Sequence, residues 1–147
     1  MKDEDFYLKV AHALSSCQLV EQELKLYITE ALALAKKCIG DKMAFKMNGE
    51  DYADSSLERL IDIFKKLTNN ETLVTELRKF KDERNFLSHK GISHCLDYEG
   101  ELFQSTAFEF QSRLETIQIE AQRLRSALHE EANKFSGYLW FDDLTKL

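Results

Sequence analysis

The chain of 147 residues contains no proline and only five glycines. Proline interrupts helices and glycine supplies the backbone conformations of tight turns. Their scarcity therefore favours long helices and leaves an all-β fold with too few turns. No run of about eighteen apolar residues occurs, so the sequence predicts no membrane span. We expect an all-α fold in one domain, 1–147, with two long and two shorter helices arranged as in a four-helix bundle.

Cysteine is also scarce, and its spacing predicts no disulfide framework. Cys17, Cys38 and Cys95 are odd in number and unpaired in spacing. Cys17 and Cys38 fall on an apolar helical stripe, so we expect both to be reduced core residues. The charged N-terminal residues lack the basic start and apolar block of a secretory signal. These features predict a soluble, cytoplasmic chain.

Acidic residues outnumber basic ones, 26 to 20, and give a formal net charge of −6. Proteins that coat nucleic acid without specificity depend on many cationic contacts to phosphates, so this balance argues against that class. It leaves room for a local cationic site, because the potential in a cleft depends on the charges that line it.

The first helix is predicted from about Glu4 to Cys38, with Gly40 as its stop signal. Its apolar residues alternate at spacings of three and four, which is typical of a helix packed lengthwise on another: Val10, Ala13, Cys17, Val20, Leu24, Tyr27, Ala31, Leu34 and Cys38. The weak periodicity of 39–54 predicts a long connection. We expect a turn at Asn48–Gly49 and one helical turn around Met43–Met47.

A capping box formed by Ser55 and Glu58 predicts the start of the second helix, and 68–70 predicts the break after it. The third helix is expected to end at Gly91. Its apolar stripe contains Leu73, Val74, Leu77, Phe80 and Leu87. After a short link with Gly100, the fourth helix is predicted to reach about Phe135. Its stripe contains Phe103, Ala107, Phe110, Leu114, Ile117, Ala121, Leu124 and Leu128.

The C-terminal tail, 137–147, contains several apolar residues and is expected to pack on the bundle or on a partner. The two long apolar seams also extend further than one small core usually requires. They are compatible with a homodimer in which part of each seam faces a second copy.

Arg84 is the one charged residue on the stripe that Leu77 and Phe80 define. A guanidinium directed at a packed face is costly unless it is paired, so we expect a partner or a functional role for it. Glu21 and Glu23 of the first helix are the candidate partners.

His89 follows five residues after Arg84. On an unbroken helix these two side chains would lie about 140° apart, whereas Asn85 and His89 would share a face. Arg84 and His89 would converge if the helix loosened near Ser88. Arginine, asparagine and histidine supply a fixed positive charge, an amide, and a group that exchanges protons near neutral pH.

The pattern Arg84-Asn85-x-x-x-His89 at the end of an inner helix resembles the signature of HEPN domains. That signature is an arginine, four to six residues and a histidine, often with a polar residue directly after the arginine. The expected two long and two short helices are also HEPN-like, so the resemblance covers most of the chain. Its sequence-specific part is six residues.

The resemblance implies a metal-independent endoribonuclease, often a toxin or defence effector. It implies an RNA substrate, an antitoxin protein as partner, and a homodimer in which two motifs share one cleft. His89 would act as general acid or base, Arg84 would stabilise charge on the phosphorane, and Asn85 would orient the histidine or phosphate. The products would end in a 2′,3′-cyclic phosphate, and no cofactor or metal is expected. Some HEPN toxins carry a tyrosine two residues after the histidine as the site of neutralising modification. Gly91 stands there in this chain.

The alternative is a non-catalytic helical interaction module, in which Arg84 and His89 have structural roles at helix ends.

A zinc site of His89, His94 and Cys95 is not favoured, because no further ligand pair at standard spacing completes it. The basic residues around the motif could contact phosphates, but Asp82 and Glu83 favour a solvated face: Arg78, Lys79, Lys81 and Lys90.

Overall fold

Every regular element of the described chain is helical. The computed structural model describes the backbone of 3–96 and 101–140 and the side chains of 4–90 and 110–140. Within these ranges the elements are α1 (Asp3–Ile39), a 3₁₀ helix (Gly49–Tyr52), α2 (Leu57–Leu67), α3 (Glu71–Leu96), α4 (Glu101–Asn133) and α5 (Ser136–Trp140). The predicted all-α, bundle-like fold is confirmed. None of the described helices has a stretch long and apolar enough to cross a membrane.

The two longest helices, α1 and α4, run parallel to each other. Phe6 near the start of α1 packs on Phe110, with ring centroids 5.7 Å apart, and Tyr27 packs on Phe135 just beyond α4 at 5.0 Å. The contacts advance in the same direction along both helices. Between them lies the apolar seam predicted from the three-four spacing, with these fully or nearly buried side chains: Val10, Ala13, Cys17, Val20, Leu24, Leu114, Ile117, Ala121, Leu124 and Leu128.

Helix α3 runs in the opposite direction to α4. Arg123 of α4 lies 2.8 Å from Glu76 of α3, and Arg113 lies 2.8 Å from Glu83. The order along one helix is therefore reversed along the other. Because α1 and α4 are parallel, α3 is antiparallel to both, and its buried stripe faces the seam between them.

Helix α2 is antiparallel to α3, so it points the same way as α1 and α4. Asp62 of α2 pairs with Arg78 at 2.9 Å, and Glu58 pairs with Lys81 at 3.7 Å. At the far end of α2 the Tyr27 hydroxyl donates to the carbonyl of Leu67 at 3.4 Å. Among the four longest described helices, α1, α2 and α4 therefore share one direction, and α3 runs against them.

Two predicted helix starts and stops are confirmed, and one is displaced. Gly40 adopts a positive φ of 58° directly after α1, and the break at 68–70 separates α2 from α3. The N-cap of α2 is Ser56 rather than Ser55, since the Ser56 hydroxyl accepts from the backbone N–H of Arg59 at 3.3 Å. Capping at Ser56 places Leu57 in the first turn with its side chain in the core.

The prediction of a helical turn around Met43–Met47 is wrong. The helical turn in this connection is instead the 3₁₀ helix, which Asn48 caps by accepting from Glu50 at 2.9 Å. Gly49 is needed for close approach, because a Cβ there would lie 1.9 Å from Oγ1 and 2.7 Å from Cβ of Thr29 on α1. The connection is therefore docked against α1, and Tyr52 at its end is buried.

The ends of α3 and α4 also differ from the prediction. Helix α3 continues through Gly91 to Leu96, and α4 ends at Asn133 rather than at Phe135. Glycine is tolerated inside a helix at a cost of about 1 kcal/mol, so it is a stop signal only when the flanking residues do not continue the helix. Gly100 and the side chains of Phe103 and Ala107 lie outside the described residues.

The described part of the tail, α5, is held to α1 through its backbone. Lys37 Nζ donates to the carbonyls of Tyr138 at 2.8 Å and Leu139 at 3.4 Å. This contact joins α5 to the last turn of α1, and the Trp140 side chain is 77% exposed. The remainder of the tail, 141–147, lies outside the described residues.

We expect Gly49→Ala to destabilise the protein by about 1–3 kcal/mol, because the new methyl group would overlap the side chain of Thr29. Chemical denaturation would measure the change. Lys46→Ala, an exposed position in the same connection, is the control and should change stability by less than ~0.5 kcal/mol. Equal stabilities for the two variants would show that this connection is not docked against α1.

Candidate functional site

The backbone of α3 is helical at every residue of the motif and beyond it to Leu96. The loosening near Ser88 that would bring Arg84 and His89 together is therefore not found. Five helical steps place these two side chains about 140° apart around α3. Arg84 faces α1, whereas Asn85 and His89 follow each other one turn apart on a different, exposed face.

Arg84 has the acidic partner that its position on the stripe predicts. Its Nη2 lies 3.6 Å from Oε1 of Glu21 on α1. The second candidate, Glu23, lies instead 3.8 Å from Nδ1 of His129 on α4. Arg84 is half-buried, with 37% of its side chain exposed. It lies at the rim of the core, and its charge reaches solvent.

Asn85 and His89 are exposed because α3 extends past the start of α2. Lys81 of α3 contacts Glu58, which lies in the first turn of α2, so α2 begins at the level of Lys81. Asn85 and His89 lie one and two turns further along α3, and both side chains are exposed. The two polar groups of the motif are thus accessible to a large ligand such as a nucleic acid strand.

The cations before the motif are balanced by carboxylates. Arg78 Nη2 lies 2.9 Å from Oδ1 of Asp62, and Lys81 Nζ lies 3.7 Å from Glu58 and 3.9 Å from Asp82. These contacts agree with a solvated, charge-paired face at these two positions. They also limit how many phosphates this face can neutralise, since each phosphate would have to displace a carboxylate.

An anchor for the motif on α4 was not anticipated from the sequence. Arg113 donates from Nη2 to both carboxylate oxygens of Glu83, at 2.8 and 3.0 Å, and its guanidinium lies 3.4 Å from the ring centre of Phe86. Phe86 also packs on Phe110 at 5.6 Å. Glu83 and Phe86 flank Arg84 and Asn85, so Arg113 fixes the rotation of α3 at the motif. The sequence contains no local pattern from which this contact could be predicted.

Cys17 lies beneath the pair of Arg84 and Glu21. Burial raises the pKa of its thiol to about 12, the positive charge of Arg84 opposes this shift, and Glu21 adds to it. The thiol is therefore protonated and unreactive, as expected for a core cysteine. Cys38 was also predicted in the core but is exposed, because the last turns of α1 extend past the end of α4.

Among the residues that the structure describes, no three ligating side chains form a metal site. The side chains of His94 and Cys95 lie outside those residues.

Comparison with known proteins assigns no family to the chain. No family model matches the sequence, and no curated protein or solved structure is significantly similar to it. The geometry therefore defines an all-helical protein with α1 and α4 packed in a bundle-like arrangement and a polar motif on α3.

We expect a thiol reagent at about pH 8 to modify Cys38 rapidly and to modify Cys17 only after unfolding. Mass spectrometry of the labelled peptides would show which cysteine is modified and would distinguish Cys17 and Cys38 from Cys95. Cys38→Ser should remove the rapid modification at position 38. Rapid labelling of Cys17 in the native protein would contradict the buried position of this thiol.

Proposed function

We propose that this chain is a metal-independent endoribonuclease of HEPN type, with Arg84, Asn85 and His89 as its site. The supporting observation is the exposed placement of Asn85 and His89, one turn apart on α3 beyond the start of α2. A histidine so placed can reach a substrate, and Arg84, on the face of α3 that meets α1, is open to solvent over 37% of its side chain. A toxin or defence role with an antitoxin partner belongs to the same proposal and rests on the resemblance.

The chemistry needs no metal, because RNA carries its own nucleophile in the 2′-hydroxyl. In this mechanism His89 removes the proton from that hydroxyl as its oxygen attacks the adjacent phosphorus. The bond from phosphorus to the 5′-oxygen breaks, and the leaving oxygen takes a proton from water. Arg84 stabilises the charge that develops on the non-bridging oxygens. The products are a 2′,3′-cyclic phosphate and a 5′-hydroxyl.

Two protomers are required by this proposal. Arg84 and His89 of one chain point about 140° apart, so they do not converge on one phosphate within a protomer. A second copy of the chain supplies the missing group if Arg84 of one protomer and His89 of the other meet across a cleft. Each such composite site holds one arginine and one histidine, one from each protomer.

The alternative function, a non-catalytic interaction module, is favoured by one observation. The Arg84 guanidinium is paired with Glu21, as a purely structural arginine between two helices would be. In that case the motif would tie α3 to α1, and replacing His89 would have no effect on any activity.

We expect purified wild-type protein to cleave labelled RNA in the presence of EDTA and to leave cyclic-phosphate ends. His89→Ala should reduce the rate by at least about a hundredfold, because general acid–base groups contribute about that much or more. His12→Ala, at another exposed histidine on a described helix, is the matched control and should cleave normally. Products with 3′-hydroxyl ends, or equal cleavage by His89→Ala and wild type, would contradict this mechanism.

Mixing Arg84→Ala with His89→Ala tests the shared site. If the two groups act across a dimer, half of the randomly mixed dimers contain one intact site, so activity should recover to about a quarter of the wild-type value. The rate is measured on the same RNA in EDTA, before and after mixing and re-equilibration. Absence of recovery, with dimers verified by light scattering, would show that the two residues do not act across protomers.

A further inference from the structure

The ion pair between Arg84 and Glu21 is loose and unequally exposed. At 3.6 Å the two charged groups are an ion pair without a hydrogen bond. The Glu21 side chain is 17% exposed and therefore held in place, whereas the Arg84 side chain is 37% exposed. The carboxylate stays on the inner side of the guanidinium, and the outer side of the guanidinium is open to an incoming anion.

An anion that approaches Arg84 also meets the charge of Glu21. A carboxylate a few ångströms from a guanidinium cancels most of its potential at the distance of a second ligand. Arg78 and Lys81, earlier on α3, do not compensate for this, because they have carboxylate partners of their own. The affinity of the motif for phosphate therefore depends strongly on one acidic residue of α1.

We propose that Glu21 is a positioning residue that holds Arg84 between α1 and α3 and lowers its affinity for phosphate. This inference rests on the proposed function in taking the RNA backbone as the ligand. A single phosphate competes poorly with Glu21. A strand that also engages Asn85 and His89 of the other protomer across the shared cleft binds through several groups at once and displaces the carboxylate. Glu21 thereby limits binding by isolated anions and by strands held in the wrong register.

Glu23 provides a matched control on the same helix. Its side chain is 18% exposed and its carboxylate lies 3.8 Å from His129 of α4. Two helical steps separate Glu21 and Glu23 by about 200°, so Glu23 faces away from α3. Glu21→Gln and Glu23→Gln remove the same charge from equally buried positions, but only the first removes it beside Arg84.

The experiment measures binding of a fluorescein-labelled single-stranded DNA oligonucleotide by fluorescence anisotropy. DNA has the phosphates but lacks the 2′-hydroxyl, so binding is read without cleavage. At low salt we expect Glu21→Gln to tighten binding about three- to fivefold, as expected for one partly exposed ion pair. The slope of log K against log salt should steepen by about 0.7, as for one additional phosphate contact. Glu21→Asp and Glu23→Gln should bind as wild type does.

Arg84→Gln shows whether the effect passes through the guanidinium. In that background Glu21→Gln should give no further tightening. For RNA cleavage, Glu21→Gln should lower KM by a similar factor, because the carboxylate no longer competes with the phosphate in the ground state. It should also lower kcat, because Arg84 is no longer held in one position. Circular dichroism and thermal unfolding of each variant establish that the compared proteins are folded.

Several results would overturn the inference. They are unchanged or weaker DNA binding by folded Glu21→Gln, tightening that persists without Arg84, equal tightening by Glu23→Gln, and absence of DNA binding by every variant. Failure of the proposed function is a separate result. Tightening that requires Arg84, without any RNA cleavage by wild type, would support the role of Glu21 and reject the ribonuclease. Cleavage that requires His89, with unchanged binding by Glu21→Gln, would support the ribonuclease and reject the role of Glu21.

Discussion

The parallel packing of α1 and α4 is the constraint on which the rest of the structure depends. Two parallel helices cannot be joined by a short loop, so the chain between them must cross the length of the bundle and return. The docked connection and α2 cover one part of this path, and α3 makes the return. The buried seam from Phe6 and Phe110 to Tyr27 and Phe135 therefore determines both the direction of α3 and the helix faces it meets.

Much of the fold could be predicted because burial on a helix imposes a spacing of three and four. The seams of α1 and α4 followed from that spacing, as did the break at 68–70. Local signals were less decisive where tertiary contacts compete with them. Gly91 lies inside α3 rather than at its end, and Gly49 is required by the proximity of Thr29 rather than by a turn. Cys38 continues the stripe in sequence but extends past the helix that would cover it.

The candidate site was only partly visible in the sequence. A charged residue on an apolar stripe needs a partner, and this argument named Glu21 and Glu23 as candidates for Arg84, of which the structure pairs Glu21. The stripe gives the angle of a side chain around its helix but not how far the neighbouring helices extend, so the exposure of Arg84 was not predicted. The clamp of Arg113 on Glu83 and Phe86 joins residues about thirty positions apart, and no local pattern encodes it.

The shared direction of α1, α2 and α4 has an electrostatic consequence of its own. Each helix carries about half a positive charge at its N-terminus and half a negative charge at its C-terminus, so three aligned backbones reinforce one another. Lysines occupy the last turns of α1 and α2, where the carbonyl ends are negative: Lys36, Lys37, Lys65 and Lys66. The opposite, positive ends point toward the part of α3 that carries Asn85 and His89, and α2 begins one turn of α3 away from Asn85. At that end of the bundle the three positive helix ends outnumber the negative C-terminal end of α3, so the peptide backbone itself is a source of positive potential there.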